Sequence, residues 1–159
     1  LGIRHQALVK WYFGKNLKIA LASDHAGYPL KEAVKEYLLS AGYEVEDFGG
    51  FNTEAMDYPD SAHPAAESVA SGKNERGIFI CGTGQGMQLT ANKHRGIRAA
   101  LCWMPEIARL SRLHNDTNVL TMPGRFIDGK TAVEMVKVWL DTPFEGGRHK
   151  RRVEKIEDI

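Results

Sequence analysis

Short apolar runs alternate along the chain with longer stretches whose apolar residues recur at helical spacing. Leu17-Lys18-Ile19-Ala20-Leu21-Ala22 reads as a buried strand that halts at Ser23-Asp24-His25-Ala26-Gly27. Residues 29–40 then place Leu30, Ala33, Val34, Tyr37 and Leu38 on one helical face. Pro29 suits the first turn of that helix, and Gly42 follows its end. The alternation continues with a strand at 43–48, a helix over 57–70 and a strand at 77–81. A helix over 87–94, a strand at 97–102, a helix over 105–113 and a strand at 118–121 come next. A helix over 131–140 follows, and the charged tail 148–159 carries Val153 and Ile156 at helical spacing.

Five strands alternating with helices predict an α/β fold. Right-handed crossovers make it a single-domain, Rossmann-like three-layer sandwich around a five-stranded parallel sheet. Such sheets bind ligands at the carboxyl ends of their strands, where Ser23-Asp24-His25 and Cys81 to Gly86 fall. Residues 1–16 stand outside the pattern and read as an N-terminal extension to a domain spanning 17–159. Trp11-Tyr12-Phe13 in that extension suits packing on the body, packing on a neighbouring chain, or a frayed tail.

Composition narrows the class without naming a chemistry. The 159 residues are enough for one domain with a proper core. Lys plus Arg number 21 against 20 for Asp plus Glu, so the net charge of +1 lacks the footprint of a general nucleic-acid binder. No apolar stretch approaches membrane-spanning length, and residues 1–16 lack a signal-peptide pattern. The two cysteines, Cys81 and Cys102, form no disulfide framework and show no metal-ligand spacing. The expectation is a soluble, cytoplasmic protein with no nucleic-acid or membrane partner and no bound metal.

Gly82-Thr83-Gly84-Gln85-Gly86 is the strongest local signal for chemistry. A glycine-rich link from a buried strand to a helix can aim successive backbone N–H groups into one concavity. That suits a phosphate or a developing oxyanion; the alternative is a plain connection. The segment lacks the Lys-Ser/Thr of a P-loop and the spacing of a dinucleotide fingerprint. Cys81 directly precedes it, where backbone donors favour a thiolate, although a lone intracellular cysteine is more often an apolar core residue. Cys102 ends a strand with no glycine loop after it and reads as core.

His25 beside Asp24, and His114 before Asn115-Asp116, are placed to transfer protons or simply to cap and face solvent. His5, His63, His94 and His149 have no context that singles them out. Arg148 and Arg152 would share one face of a helix and could grip a phosphate, with Arg125 as a third anion contact. A basic run of this kind is also compatible with a solvated face.

These segments together resemble ribose-5-phosphate isomerase type B, within the sugar-phosphate isomerase family that includes the galactose-6-phosphate isomerase subunits. The carriers are Ala22-Ser23-Asp24-His25-Ala26-Gly27, Asp57-Tyr58-Pro59 and Ile80-Cys81-Gly82-Thr83-Gly84-Gln85-Gly86-Met87. Ala91-Asn92-Lys93, Gly96-Ile97-Arg98-Ala99-Ala100, His114-Asn115-Asp116-Thr117-Asn118-Val119 and Gly146-Gly147-Arg148-His149 extend the match to the C-terminus. The resemblance implies interconversion of D-ribose 5-phosphate and D-ribulose 5-phosphate through an enediolate, in the non-oxidative pentose phosphate pathway, without metal or organic cofactor. It implies that Cys81 is the enediol base, that His114 opens the furanose ring, and that Thr83 touches the sugar on a loop from Gly82 through Gly84 and Gln85 to Gly86. Asp24, His25, Asn115, Arg125, Arg148 and Arg152 match sugar or phosphate contacts. It further implies a homodimer or homotetramer whose active sites combine two chains. Gln85 and Gln88-Leu89-Thr90 depart from the smaller or more apolar residues expected beside the loop. An isomerase of a six-carbon sugar phosphate and a catalytically silent sugar-phosphate binder are the competing readings.

Overall fold

Proline sets the first turn of several helices, because its fixed φ suits the helix and its missing N–H would have no intrahelical partner there. Pro29 begins α1 (Tyr28–Ser40), Pro59 begins α2 (Tyr58–Ala70) and Pro105 begins the helix Pro105–Asn115. The computed structural model describes residues 17–159; the expectations for 1–16, including Trp11-Tyr12-Phe13, lie outside the described residues. In chain order the remaining elements are β1 (Lys18–Ser23), β2 (Glu44–Asp47), β3 (Arg76–Cys81), α3 (Gln85–Ala91), β4 (Ala99–Leu101), α4 (Pro105–Asn115), β5 (Val119–Pro123), α5 (Gly129–Asp141) and α6 (Arg148–Glu154). A 3-10 turn, Lys155–Glu157, follows α6.

The five strands form one sheet in the order β2-β1-β3-β5-β4, and every pairing is parallel. Right-handed crossovers then assign the helices to faces. β1 to β2 runs one way across the sheet while β2 to β3 and β3 to β4 run the other, so α1 and the pair α2 and α3 cover opposite sides. The return from β4 to β5 puts α4 on the same face as α1, and α5 packs against both. This is the predicted three-layer α/β sandwich.

The two faces differ in how they are filled. Beneath α1, α4 and α5 lie large side chains: Ile19, Leu21, Ile78, Ile80, Leu120, Met122, Val34, Met135 and the fully buried Trp139. Beneath α2 and α3 the layer is built on small residues, Ala20, Ala22, Ala62, Ala65 and Ala66, with Phe79, Cys81 and Met87. Alternating residues of a strand face opposite sides, so Ile80 serves the first layer and Cys81 the second. Cys102 is fully buried, and burial pushes its thiol up to about 11, as suits a core residue.

Helix α3 starts two residues before the predicted 87 and stops at Ala91. Gly84, at φ 76°, turns the chain straight into the helix. A Cβ there would lie 2.5 Å from Leu101 Cδ1 and 2.9 Å from the Met122 carbonyl carbon, so only glycine fits. Beyond the helix, the Asn92 side chain works on the sheet's edge: its Oδ1 accepts from Ala99 N–H at 2.8 Å, and its Nδ2 donates to Ala99 O at 3.0 Å.

A buried lysine fixes the segment after β2. Lys31 has no exposed surface, and its Nζ donates to Asp47 Oδ1 and to Gly50 O, each at 2.6 Å. Gly49 O accepts from Ser23 N–H, and Gly50 N–H donates to Ser23 O at 2.5 Å. The segment is thereby stitched to the end of β1, one residue before Asp24.

Candidate active site

Three loops converge where β1, β3 and β5 end. Register places Ser23 beside Ile80 and Cys81 beside Pro123. Asp24 N–H donates to Ile80 O at 3.4 Å, Gly124 N–H to Cys81 O at 2.8 Å and Arg125 N–H to Gly82 O at 3.1 Å. A Cβ on Gly27 would collide with Ile80 O, and one on Gly124 would sit 3.2 Å from Gly27 Cα, so glycines let these loops touch. Asp24 is 7% exposed and closes its own turn, its Oδ1 accepting from Gly27 N–H at 2.9 Å. His25 Nδ1 accepts from Met56 N–H at 3.2 Å, which leaves Nε2 as the donor of a neutral ring.

Cys81 closes β3 at 4% exposure, with its side chain in the alanine-rich layer and Gly82 immediately beyond. Thr83 and Gln85 are exposed. Among the described residues, no backbone acceptor takes the N–H of Thr83 or Gly84, so both donors remain available beside the thiol. The Arg125 guanidinium passes 3.2 Å from where a Gly82 Cβ would lie, bringing a cation to the same loop. Tyr58 is a member that its sequence context did not single out as a site residue: its ring stands 2.6 Å from the position of a Gly86 Cβ.

The second group lies elsewhere. His114 and Asn115 end α4, where Asp116 adopts a left-handed conformation (φ 46°) and stops the helix. Arg112 anchors that end by donating to Asp116 Oδ1 at 2.9 Å, Thr117 O at 2.5 Å and Thr142 O at 3.2 Å. Trp139 Nε1 donates to Thr117 Oγ1 at 3.0 Å beneath it. Arg148 and Arg152 do share a helix, α6, as their spacing predicted. A cavity of 330 Å3 is lined by His114, Asn115, His149, Arg152, Val153 and Ile156; Arg148 is exposed one turn away.

His149, which sequence context did not single out as a site residue, stacks on His114 with ring centroids 4.4 Å apart and planes 18° from parallel. Glu145 Oε2 lies 3.7 Å from His114 Nε2 and 3.6 Å from His149 Nε2. Burial, reinforced by the charges of His114 and Arg148, pulls the His149 imidazole below its ordinary range, while Glu145 opposes the shift. These three residues bring donor atoms within 4.8 Å of one another, the one set among the described residues with that potential for a metal. Two stacked rings direct their lone pairs side by side rather than at one point, and Arg152 lines the same cavity. The arrangement suits a shared carboxylate better than a cation.

Within one chain the two groups stay apart. Gly77 is level with Val119 and Cys81 with Pro123, so about 13 Å of strand separates the two ends of the sheet. Cys81, the Gly82 to Gly86 loop, Asp24, His25 and Arg125 occupy the carboxyl end. His114 and Asn115 precede the start of β5, and Arg152 joins them at the amino end.

Comparison with known proteins gives a consistent lineage. The family model described as ribose/galactose isomerase matches residues 19–156. Ribose-5-phosphate isomerase B of Escherichia coli is 46% identical over 142 residues, covering 89% of this chain and 95% of that protein. A ribose 5-phosphate isomerase crystal structure from Thermotoga maritima superposes with a TM-score of 0.88 at 52% identity, covering 90% of this chain and 99% of that one. Ribose-5-phosphate isomerase B from Mycoplasma genitalium, solved with bound ribulose-5-phosphate, gives a TM-score of 0.86 at 39% identity, covering 89% and 95%. No helix among the described residues is long and apolar enough to cross a membrane. The fold, the ordered motifs and these likenesses agree, and the chain belongs to the ribose/galactose isomerase family, among its type B ribose-5-phosphate isomerases.

Proposed function

We propose that the protein interconverts D-ribose 5-phosphate and D-ribulose 5-phosphate, with each active site assembled from the carboxyl-end group of one copy and the amino-end group of another. The observation that carries this reading is the division itself. One end holds a thiol beside unpaired backbone donors; the other holds a histidine pair beside an arginine-lined cavity. Aldose-ketose isomerisation of a cyclic sugar phosphate needs both.

The chemistry starts with the ring. His114 moves the anomeric hydroxyl proton to the ring oxygen as the C1–O4 bond breaks and the C1 carbonyl forms. Cys81, as thiolate, then takes the C2 proton. The C–H electron pair enters the C1–C2 bond, and O1 becomes the enediolate oxygen. The N–H groups of Thr83 and Gly84 face that developing charge, and preorganised donors of this kind supply the main stabilisation in such sites. Return of the proton to C1, with the O2 proton passing to O1, completes the ketose. Only protons change place, so the residues named suffice without a cofactor. Asp24, His25, Gln85 and Asn115 orient the sugar. Arg125, Arg148 and Arg152 hold the phosphate, whose remote binding energy positions the reacting carbons.

A two-fold pair of copies would create two identical sites, since each copy presents both ends. Large apolar side chains support such pairing. Leu89, Trp103, Met104 and Phe126, on α3 and the loops after β4 and β5, are 44–73% exposed. The activity belongs to the non-oxidative pentose phosphate pathway in the cytoplasm.

A coupled assay of the purified protein on D-ribose 5-phosphate and D-allose 6-phosphate, with Cys81→Ala alongside, tests the reading. We expect turnover of the pentose that is lost in the variant. Unchanged turnover in Cys81→Ala would refute the thiolate base, and preference for the hexose would reassign the substrate.

A further inference from the structure

We propose that Glu145 is a positioning residue for His114, its carboxylate set between two imidazole edges so that the ring-opening histidine is held in one orientation. The inference rests on the ring-opening role proposed above for His114.

Glu145 is itself pinned by the chain. Its N–H donates to Leu113 O at 3.0 Å, tying the segment after α5 to the last turn of α4, one residue before His114. The carboxylate then reaches both rings, with Oε2 3.7 Å from His114 Nε2 and 3.6 Å from His149 Nε2. The histidines differ in freedom. The His149 side chain is 6% exposed and packed at the start of α6, whereas that of His114 is 37% exposed at a helix end. His149 therefore acts as a buried wall against one face of the more exposed ring, 4.4 Å away.

Stacking alone leaves His114 free to slide or flip about its side-chain torsions. An acceptor at its Nε2 edge removes that freedom. The separations exceed hydrogen-bond length and fall within ion-pair range. Catalytic hydrogen bonds of this kind commonly tighten when substrate is bound. The charged groups facing the pair are Arg148 and Arg152 from α6, besides Glu145 itself. Among the described residues neither arginine makes a salt bridge to Glu145, so the carboxylate remains with the rings. Its side chain is 53% exposed, and replacing it opens no core.

The anomers of ribose 5-phosphate exchange only through the open chain, so enzyme-accelerated anomer exchange reads ring opening directly. Magnetisation transfer between the C1 signals of the two anomers measures it. The Cys81→Ala protein, blocked at proton abstraction, is the reference. We expect it to accelerate exchange, Cys81→Ala/Glu145→Gln to lose about tenfold to a hundredfold of that acceleration, and Cys81→Ala/Glu145→Asp to recover part of it. The backbone bond to Leu113 survives in every variant, so a merely structural role predicts equal exchange in all of them. Equal exchange in the Gln variant overturns the proposal while leaving the role of His114 intact. Failure of Cys81→Ala to accelerate exchange, or undiminished exchange in Cys81→Ala/His114→Asn, overturns the ring-opening role and this proposal with it.

Discussion

Two inactive variants should rescue each other if the site spans two copies. Cys81→Ala removes the thiol at one end of the sheet, and His114→Asn removes the imidazole at the other. Random pairing of equal amounts yields about one half mixed pairs, and each mixed pair holds one site with both groups and one with neither. About a quarter of the wild-type turnover should therefore return from two proteins that each have almost none. The converse experiment mixes wild-type chains with the double variant. Every mixed pair then lacks one essential group at each site, so wild-type activity should fall by about half through dominance alone. Neither change should prevent folding: Cys81→Ala substitutes one small residue for another in a layer already rich in alanine, and His114 is partly exposed. Co-expression with two affinity tags, native mass spectrometry to count mixed pairs and the coupled assay supply the measurement. Mixed pairs present at the expected share, with turnover still at the parental floor, would refute the two-copy site.

Three further outcomes follow from particular contacts. Gly84→Ala should destabilise by about 2–4 kcal/mol, read by urea titration, since it combines a left-handed backbone with overlap at the Met122 main chain; a loss below about 0.5 kcal/mol would contradict the glycine requirement. Burial pushes the Asp47 carboxyl up, but hydrogen bonds from Lys31, Gly49 N–H and Lys35 outweigh it and hold the group below 3.8. Its stabilising effect is thus present above that pH and lost as pH falls through the lower folded value. Melting temperature should drop more steeply on acidification in wild type than in Asp47→Asn, and equal slopes would argue against the linkage. Arg148→Ala should raise KM more than it lowers kcat, because the phosphate is held in ground and transition states alike; a pure kcat defect would remove Arg148 from phosphate binding.

Periodicity alone made the layers legible, because buried strands and amphipathic helices have different periods and the chain keeps to them. Strand order was not legible: nothing local to Val119–Pro123 says that it inserts between β3 and β4. Boundaries moved where a side chain competes with the backbone, as at Asn92, or where a left-handed residue sets the stop, as at Asp116. The carboxyl-end group could be located because strand ends are where such folds bind ligands, and Cys81 adjoins a glycine run. Its Tyr58 wall could not, since the ring reaches Gly86 from a residue 28 positions earlier in the chain. His149 was missed for the same reason. It lies 35 positions from His114, and only the return of the chain after α5 stacks the two rings. The glycine pair before Arg148 is the one local hint of that turn, with both residues at positive φ.

The Asn92 side chain at β4 has a bearing on solubility. An outer strand normally offers its free N–H and C=O groups to any extended chain that drifts past, and so seeds aggregation. Here a carboxamide already takes both outward groups of Ala99, imitating a short piece of a sixth strand. The strand is only three residues long, and the opposite edge, β2, carries Glu44, Glu46 and Asp47. Neither border is an inviting template for ladder growth. Copies can therefore associate through shaped side-chain surfaces while runaway sheet extension is discouraged at both margins.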